Sequence, residues 1–250
     1  MKKQLLLLVA LLCLTNAKAE DRVEKFGIFN HVSVGAGVGI LDGISFEAAA
    51  PITDFVQLRL GYSFLPKFSY TTDISYKDNG QDKETDVKFQ LNQGNFKFLF
   101  DILPFRTSSF HVTVGGYVGK EHFVKAWNSS PIYGLLPGEG LLVGEYIIRP
   151  NDDPTSPDYG VANAAIQVNK FKPYVGIGVG RACPRKRVSV TGDFGVMFWG
   201  SPNVVAKADD GTWQKMTKDN IGHDSEKAFK IMSKIIVCPV LSIRVNGRIF

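Results

Sequence analysis

Residues 171–199 read FKPYVGIGVGRACPRKRVSVTGDFGVMFW, from Phe171 to Trp199, and divide into two strand patterns about a short basic turn. Val175, Ile177 and Val179 alternate with Gly176, Gly178 and Gly180. Beyond Arg185, Lys186 and Arg187, a second run sets Val188, Val190, Phe194, Val196 and Phe198 against Ser189, Thr191, Asp193 and Gly195. Strand side chains point alternately to the two faces of a sheet, so the segment is a hairpin with one greasy face and one small or polar face. In a soluble sandwich the greasy face is the core. In a membrane barrel it faces lipid, and the polar side faces the lumen.

The same alternation recurs along the chain. Residues 30–40, 44–50 and 55–64 carry it, with Leu41-Asp42-Gly43 as a tight turn and Pro51 to Asp54 as the next reversal. Runs at 87–103, 110–120, 161–169, 204–208 and 238–250 follow. With the two strands of the hairpin the count is about ten, an even number, as bacterial barrels require; eight remains if the ninth run, 204–208, and a neighbour are irregular. The connections at Pro51, Pro104 and Lys172 read as short and fall on one side. Long segments at 77–86 and 121–159 fall on the other, the asymmetry of an outer-membrane barrel and not of a soluble sandwich. The pattern predicts an all-β fold, an up-and-down antiparallel transmembrane barrel. One short amphipathic helix is expected over 224–235, with Phe229, Met232 and Ile235 on one side and Lys227, Lys230 and Lys234 on another.

Residues 1–19 read as a secretory signal peptide: Lys2 and Lys3, an apolar run from Leu5 to Leu14, and Ala17-Lys18-Ala19 as cleavage site. The barrel domain then spans 20–250. Three of the 29 Lys and Arg residues, and none of the 24 acids, lie in that leader, so the net charge falls from +5 to about +2. That balance gives no support to nucleic-acid binding. No later apolar run approaches the ~18 residues a membrane helix needs. Cys183 and Cys238 remain after cleavage, in a compartment where disulfides persist. They form either a bridge, worth about 4 kcal/mol on the chain-entropy model, or two packed thiols.

Three stretches besides the leader carry a resemblance: APITDFVQLRLGYSF (Ala50 to Phe64), KPYVGIGVG with VTGDFGVMFWGSP, and PVLSIRVNGRIF (Pro239 to Phe250). Together they make the chain resemble the small outer-membrane β-barrels of Gram-negative bacteria, the broad OmpA/OmpW-like group. The resemblance implies an outer-membrane location, the membrane's lipid and lipopolysaccharide as surroundings, the barrel-assembly machinery as a partner, and a monomer. It specifies no activity. Phe250 resembles the terminal aromatic of the group, but Arg244, Asn246 and Arg248 stand in phase with it where lipid-facing residues are usual. Either a bulge shifts the phase or Phe250 sits past the membrane edge.

A search for chemistry finds little. The glycine runs at 35–39 and 176–180 lack the strand-to-helix context of phosphate loops, and fit a narrow lumen instead. No paired-histidine spacing marks a metal site, and no cofactor is expected. His111 with Ser109 or Thr113 is the one nucleophile-and-base combination on a strand face. The inward charges say more: Glu47, Arg59, Lys97, Asp101 and Asp193 all fall on the lumen side. Charges in so narrow an interior are costly unless paired, so a filled, salt-bridged lumen is expected rather than an open pore. The expectation is therefore a non-enzymatic barrel with a structural or surface-interaction role through segments 65–93 and 121–160. A barrel binding or passing a small apolar ligand at Trp127, Tyr133, Leu135 and Leu136 is the second reading. A lipid-modifying barrel enzyme using His111 is the third.

Overall fold

The computed structural model describes residues 27–136, 138–143, 146–216 and 236–249. The expected leader at 1–19, the helix expected at 224–235, and Phe250 lie outside them. Among the described residues every regular element is a strand. In chain order these are β1 (Ser33–Ile40), β2 (Gly43–Thr53), β3 (Val56–Phe64), β4 (Ser69–Asp78), β5 (Gln81–Leu91), β6 (Gly94–Ile102), β7 (Phe110–Gly119) and β8 (His122–Asn128). Then come β9 (Leu141–Val143), β10 (Tyr146–Ile148), β11 (Asn163–Gln167), β12 (Phe171–Val179), β13 (Val188–Phe198), β14 (Asn203–Lys207), β15 (Trp213–Lys215) and β16 (Val237–Arg248).

Eight of them close an antiparallel barrel in the order β1-β2-β3-β6-β7-β12-β13-β16, each beside the barrel strand that precedes it in the chain. Closure pairs both edges of every strand, which is what a spanning sheet needs in lipid. The barrel thus has eight strands, not about ten. The runs at 161–169 and 204–208, counted as barrel strands from their alternation, form β11 and β14 of a second sheet. The run at 87–103 divides at Asn92 and Gln93 into β5, in the second sheet, and β6, in the barrel.

Three short connections, at 54–55, 103–109 and 180–187, lie at the barrel end where β1 starts and β16 finishes. Lys172 is not a turn; it lies within β12, and the third short connection is the basic turn of the opening hairpin. The opposite end has a two-residue turn, Leu41 and Asp42, and three long excursions. Among the described residues these excursions build the second sheet, ordered β10-β9-β4-β5-β8-β11-β14-β15.

That sheet continues the barrel wall. β5 pairs with β8 as β6 pairs with β7, and β8 with β11 as β7 with β12. Backbone bonds carry the ladder across the boundary, from Leu65 N–H to Gln93 O (3.2 Å), Asn92 N–H to Phe123 O (2.9 Å) and Asn169 N–H to Trp199 O (2.8 Å).

The two sheets have opposite polarity. The barrel turns Val38, Phe46, Phe96, Ile177, Phe194 and Ile243 outward and exposes them, while its buried interior holds Glu47, Arg59, Lys97, Asp101, Asp193 and Arg244. Soluble monomers rarely expose apolar patches beyond a few hundred Å², and here the apolar surface encircles the barrel. Lipid is the solvent that suits such a wall, and the barrel spans a membrane. The second sheet is built the ordinary way, burying Val87, Ala126, Leu141, Ile148, Ala162 and Ala164 in one apolar cluster.

Candidate functional site: the barrel lumen

The inward face of an eight-stranded barrel is only wide enough for side chains, and three layers fill this one. The first, toward the second sheet, holds an apolar cluster beside the buried polar Ser45, Ser63, Asn95 and Lys172, whose Nζ donates to Asn95 Oδ1 (3.0 Å). Leu99, Tyr117, Tyr174, Met197, Cys238 and Val240 pack together, with Leu41 and Trp199 against them. The Tyr117 and Tyr174 rings lie 5.3 Å apart, and Lys97 Nζ sits 5.5 Å from the Tyr117 ring centre.

The middle layer is ionic. Alternation places Glu47 of β2, Arg59 of β3, Lys97 and Asp101 of β6, and Asp193 of β13 on the inner face, and the fold brings all five together. Arg59 lies between three carboxylates, 2.9 Å from Asp101, 3.3 Å from Asp193 and 3.5 Å from Glu47. Lys97 reaches Glu47 at 2.9 Å and Asp42 at 2.5 Å. Arg244 of β16 forks between Glu47 and Asp193. Thr113 Oγ donates to Asp101 (2.7 Å), and Arg59 donates to Thr113 Oγ (3.3 Å).

His111 completes the layer. Its Nε2 lies 2.7 Å from Asp193 Oδ1, and its Nδ1 faces the carbonyl oxygens of Gly180 (3.0 Å) and Ser109 (3.3 Å). These contacts tie β7 to β13 and to the 180–187 turn. Arg59, Lys97 and Arg244, with His111 beside Asp193, thus face Asp42, Glu47, Asp101 and Asp193. Glycines make the room. A Cβ at Gly37 would meet Arg244 Cγ at 2.2 Å, and one at Gly178 would meet His111 Nε2 at 2.5 Å.

The third layer is the turn at 180–187, folded into the mouth. Ala182, Cys183 and Pro184 are buried. Ser33 Oγ donates to Ala182 O (2.6 Å), and Cys183 N–H donates to Gln57 Oε1 (3.0 Å).

Arg244 and Asp42 join the layer without having been expected there. In the sequence Arg244 shows only as an anomaly of phase, and its inward direction is the signal that finds it. The pairing of β16 with β1 and β13 runs without a register shift, so no bulge turns Arg244 toward lipid. The outward face is Leu241, Ile243 and Val245.

No disulfide joins the two cysteines. Cys238 pairs with Met197 in the apolar layer, while Cys183 lies in the turn at the other mouth. The strands between put them roughly 30 Å apart, far beyond a disulfide's reach.

The catalytic reading of His111 fails on geometry. His111 takes the carbonyl of Ser109, not its hydroxyl, and the Thr113 hydroxyl is spent on Asp101. Among the described residues no group of His, Cys, Asp and Glu has a metal-binding arrangement.

The four residues read as a ligand loop do not converge. Trp127 lies in β8, Leu135 packs on the apolar cluster of the second sheet, and Tyr133 stacks on Tyr159 at 4.6 Å. Leu136 is half exposed, and its N–H donates to Glu139 (3.0 Å). An open cavity of about 350 Å³ nearby is lined by Asp73, Tyr76, Glu84, Asp86 and Ile132 among others, and by none of the four. Asp73 and Asp86 stand directly opposite across β4 and β5, and their shared hydrogen bond raises the Asp73 pKa.

No protein-family model matches the chain, and no curated protein matches it. Among solved structures it is similar to Acinetobacter baumannii CarO at 18% identity and a TM-score of 0.45, covering 88% of this chain and 99% of that one. Acinetobacter baumannii CarO2 gives 18% and 0.47, covering 90% and 99%. A major outer membrane protein from Thermus thermophilus gives 16% and 0.31, covering 87% and 98%.

Proposed function

We propose that the chain is a non-enzymatic protein of the bacterial outer membrane, whose closed barrel holds the second sheet at the cell surface for a structural or surface-interaction role. Secreted chains that cross a bilayer with a closed antiparallel barrel, short turns at one end and long excursions at the other, belong to that membrane. The observation that carries the reading is the three-layered filling of the lumen. A water-filled path would have to break the ion pairs of Arg59 and Arg244 and also displace the 180–187 turn. Removing one partner of a buried pair costs about 3–5 kcal/mol, so thermal opening of such a path is rare. Lipid and lipopolysaccharide surround the wall in this reading, the assembly machinery inserts it, and it acts as a monomer.

The test is reconstitution of the purified barrel into planar bilayers. The expected result is a heat-shifted, folded band on gels and no steady conductance steps. Reproducible ohmic steps from the folded protein would overturn the closed barrel.

A further inference from the structure

The short-turn end of the barrel is strongly basic. Among the described residues it carries Arg106, Arg181, Arg185, Lys186, Arg187 and Arg248 against a single acid, Asp54. Asp54 pairs with Arg106 at 2.7 Å. The second sheet has no such excess, since acids such as Asp73, Glu84 and Asp86 are interspersed with its lysines.

Two of these arginines form a built site. Arg181 is only 7% exposed, and its Nη2 donates to the carbonyls of Arg106 (2.8 Å) and Ser108 (3.0 Å). Arg185 Nη2 donates to the same Arg106 carbonyl at 2.7 Å, so two guanidinium groups meet on one oxygen. Arg181 Nη1 and Arg185 Nε are buried there without an acceptor from the protein. Burial, and then the neighbouring Arg185, lower the Arg181 pKa to about 10, which leaves it charged at neutral pH. Two like charges held together with unused donors make a site for an anion with several acceptor oxygens.

The neighbours say where that anion comes from. Phe105 precedes Arg106, Val188 follows Arg187, and Ile249 follows Arg248; these three apolar side chains are each about 60% exposed on the lipid-facing wall. One residue of strand is about 3.3 Å, so the cations stand at the edge of the hydrocarbon, where headgroup phosphates lie. A free phosphate gains nothing from the apolar rim, whereas a phospholipid uses both parts.

We infer that Arg181 and Arg185, with Lys186 and Arg187 beside them, form a binding site for the phosphate of an anionic phospholipid in the leaflet at the short-turn end. The inference rests on the membrane-barrel reading above. Its test uses native mass spectrometry of the full-length barrel in micelles holding equal amounts of phosphatidylglycerol and phosphatidylcholine. Phosphatidylglycerol should be retained in preference. The K186Q/R187Q variant, which changes only exposed side chains, should lose about fivefold of that preference per charge removed. R185Q should lose it further, and a heat-shifted band confirms that each variant is folded.

Equal retention of the two lipids, or an unchanged preference in folded K186Q/R187Q and R185Q, overturns the site. Displacement of the lipid by millimolar inorganic phosphate, with phosphate itself retained, overturns the lipid source. A wild-type chain lacking the heat shift and remaining soluble without detergent would instead defeat the membrane-barrel reading.

Discussion

His111 and Asp193 stand on β7 and β13, strands that do not pair, yet Nε2 of one lies 2.7 Å from Oδ1 of the other. They meet over Gly178 of β12, which pairs with both residues. The contact exists because the strand between them has no side chain at that point. A Cβ there would come within 2.5 Å of the imidazole and 2.6 Å of the carboxylate. Gly178→Ala should therefore lower stability by about 2 kcal/mol, the usual cost of overpacking, read as a lower urea midpoint in detergent or lipid. Gly192→Ala is the control, since a Cβ there meets nothing within 4 Å, and its midpoint should stay put.

Arg244 is held by two carboxylates from strands on either side of it, Glu47 and Asp193. Arg244→Met leaves both short of a cation inside the lumen. The expected loss is about 3–5 kcal/mol, measured by equilibrium unfolding in lipid vesicles. Arg244→Lys keeps the charge but reaches one carboxylate less well, and should fall between the two. A midpoint unchanged in Arg244→Met would show that the ionic layer contributes nothing to stability.

Glu139 ties the segment before β9 to the β4–β5 turn by accepting from the N–H groups of Asn79 (3.1 Å), Gly80 (2.9 Å) and Leu136 (3.0 Å). Those bonds favour the carboxylate and hold its pKa below the ordinary 4.5. A depressed acid contributes its stabilisation above the unfolded pKa and loses it as pH falls through the folded one. The protection of the Asn79 and Gly80 amides, their hydrogen exchange taken relative to the intrinsic rate at each pH, should therefore fall below pH 4.5 in the wild type. In Glu139→Gln that protection should be lower at neutral pH and flat across the range.

Cys183 and Cys238 occupy opposite mouths of the barrel, and both are buried. The folded protein should run identically with and without reductant, and a thiol reagent should label neither quickly. Both should react at once on unfolding. A mobility shift on reduction of the monomer would contradict the strand order of the barrel.

Much of the barrel is legible because lipid and lumen impose a period of two. Glu47, Arg59, Lys97, Asp101 and Asp193 can be placed on one face by counting alone. Arg244 counts the same way, but the terminal Phe250 supplies a competing phase reference that hides it. Asp42 is hidden by its turn, since Asp-Gly explains itself locally and gives no hint that the side chain reaches Lys97 at 2.5 Å. The second sheet is harder. SYTTDISYKD, β4, and the first half of QDKETDVKFQL, β5, carry polar side chains at most positions, and 77–86 reads as loop. Their pairing with each other and the continuation of the wall hold them in place. β11 and β14 mislead in the opposite direction, because a five-residue strand with three apolar residues looks the same in a lipid-facing wall as in an ordinary core.

The continuation of the wall from β6 into β5, with a break only at Asn92 and Gln93, has a mechanical consequence. The second sheet is a cantilever clamped to the barrel along several strands at once. In the proposed orientation, a pull on it from outside the cell would load the hydrogen bonds of the barrel wall in shear, many together, rather than peeling them one by one. The membrane-embedded cylinder then acts as a foundation post, and the sheet is a platform fixed in orientation to the membrane.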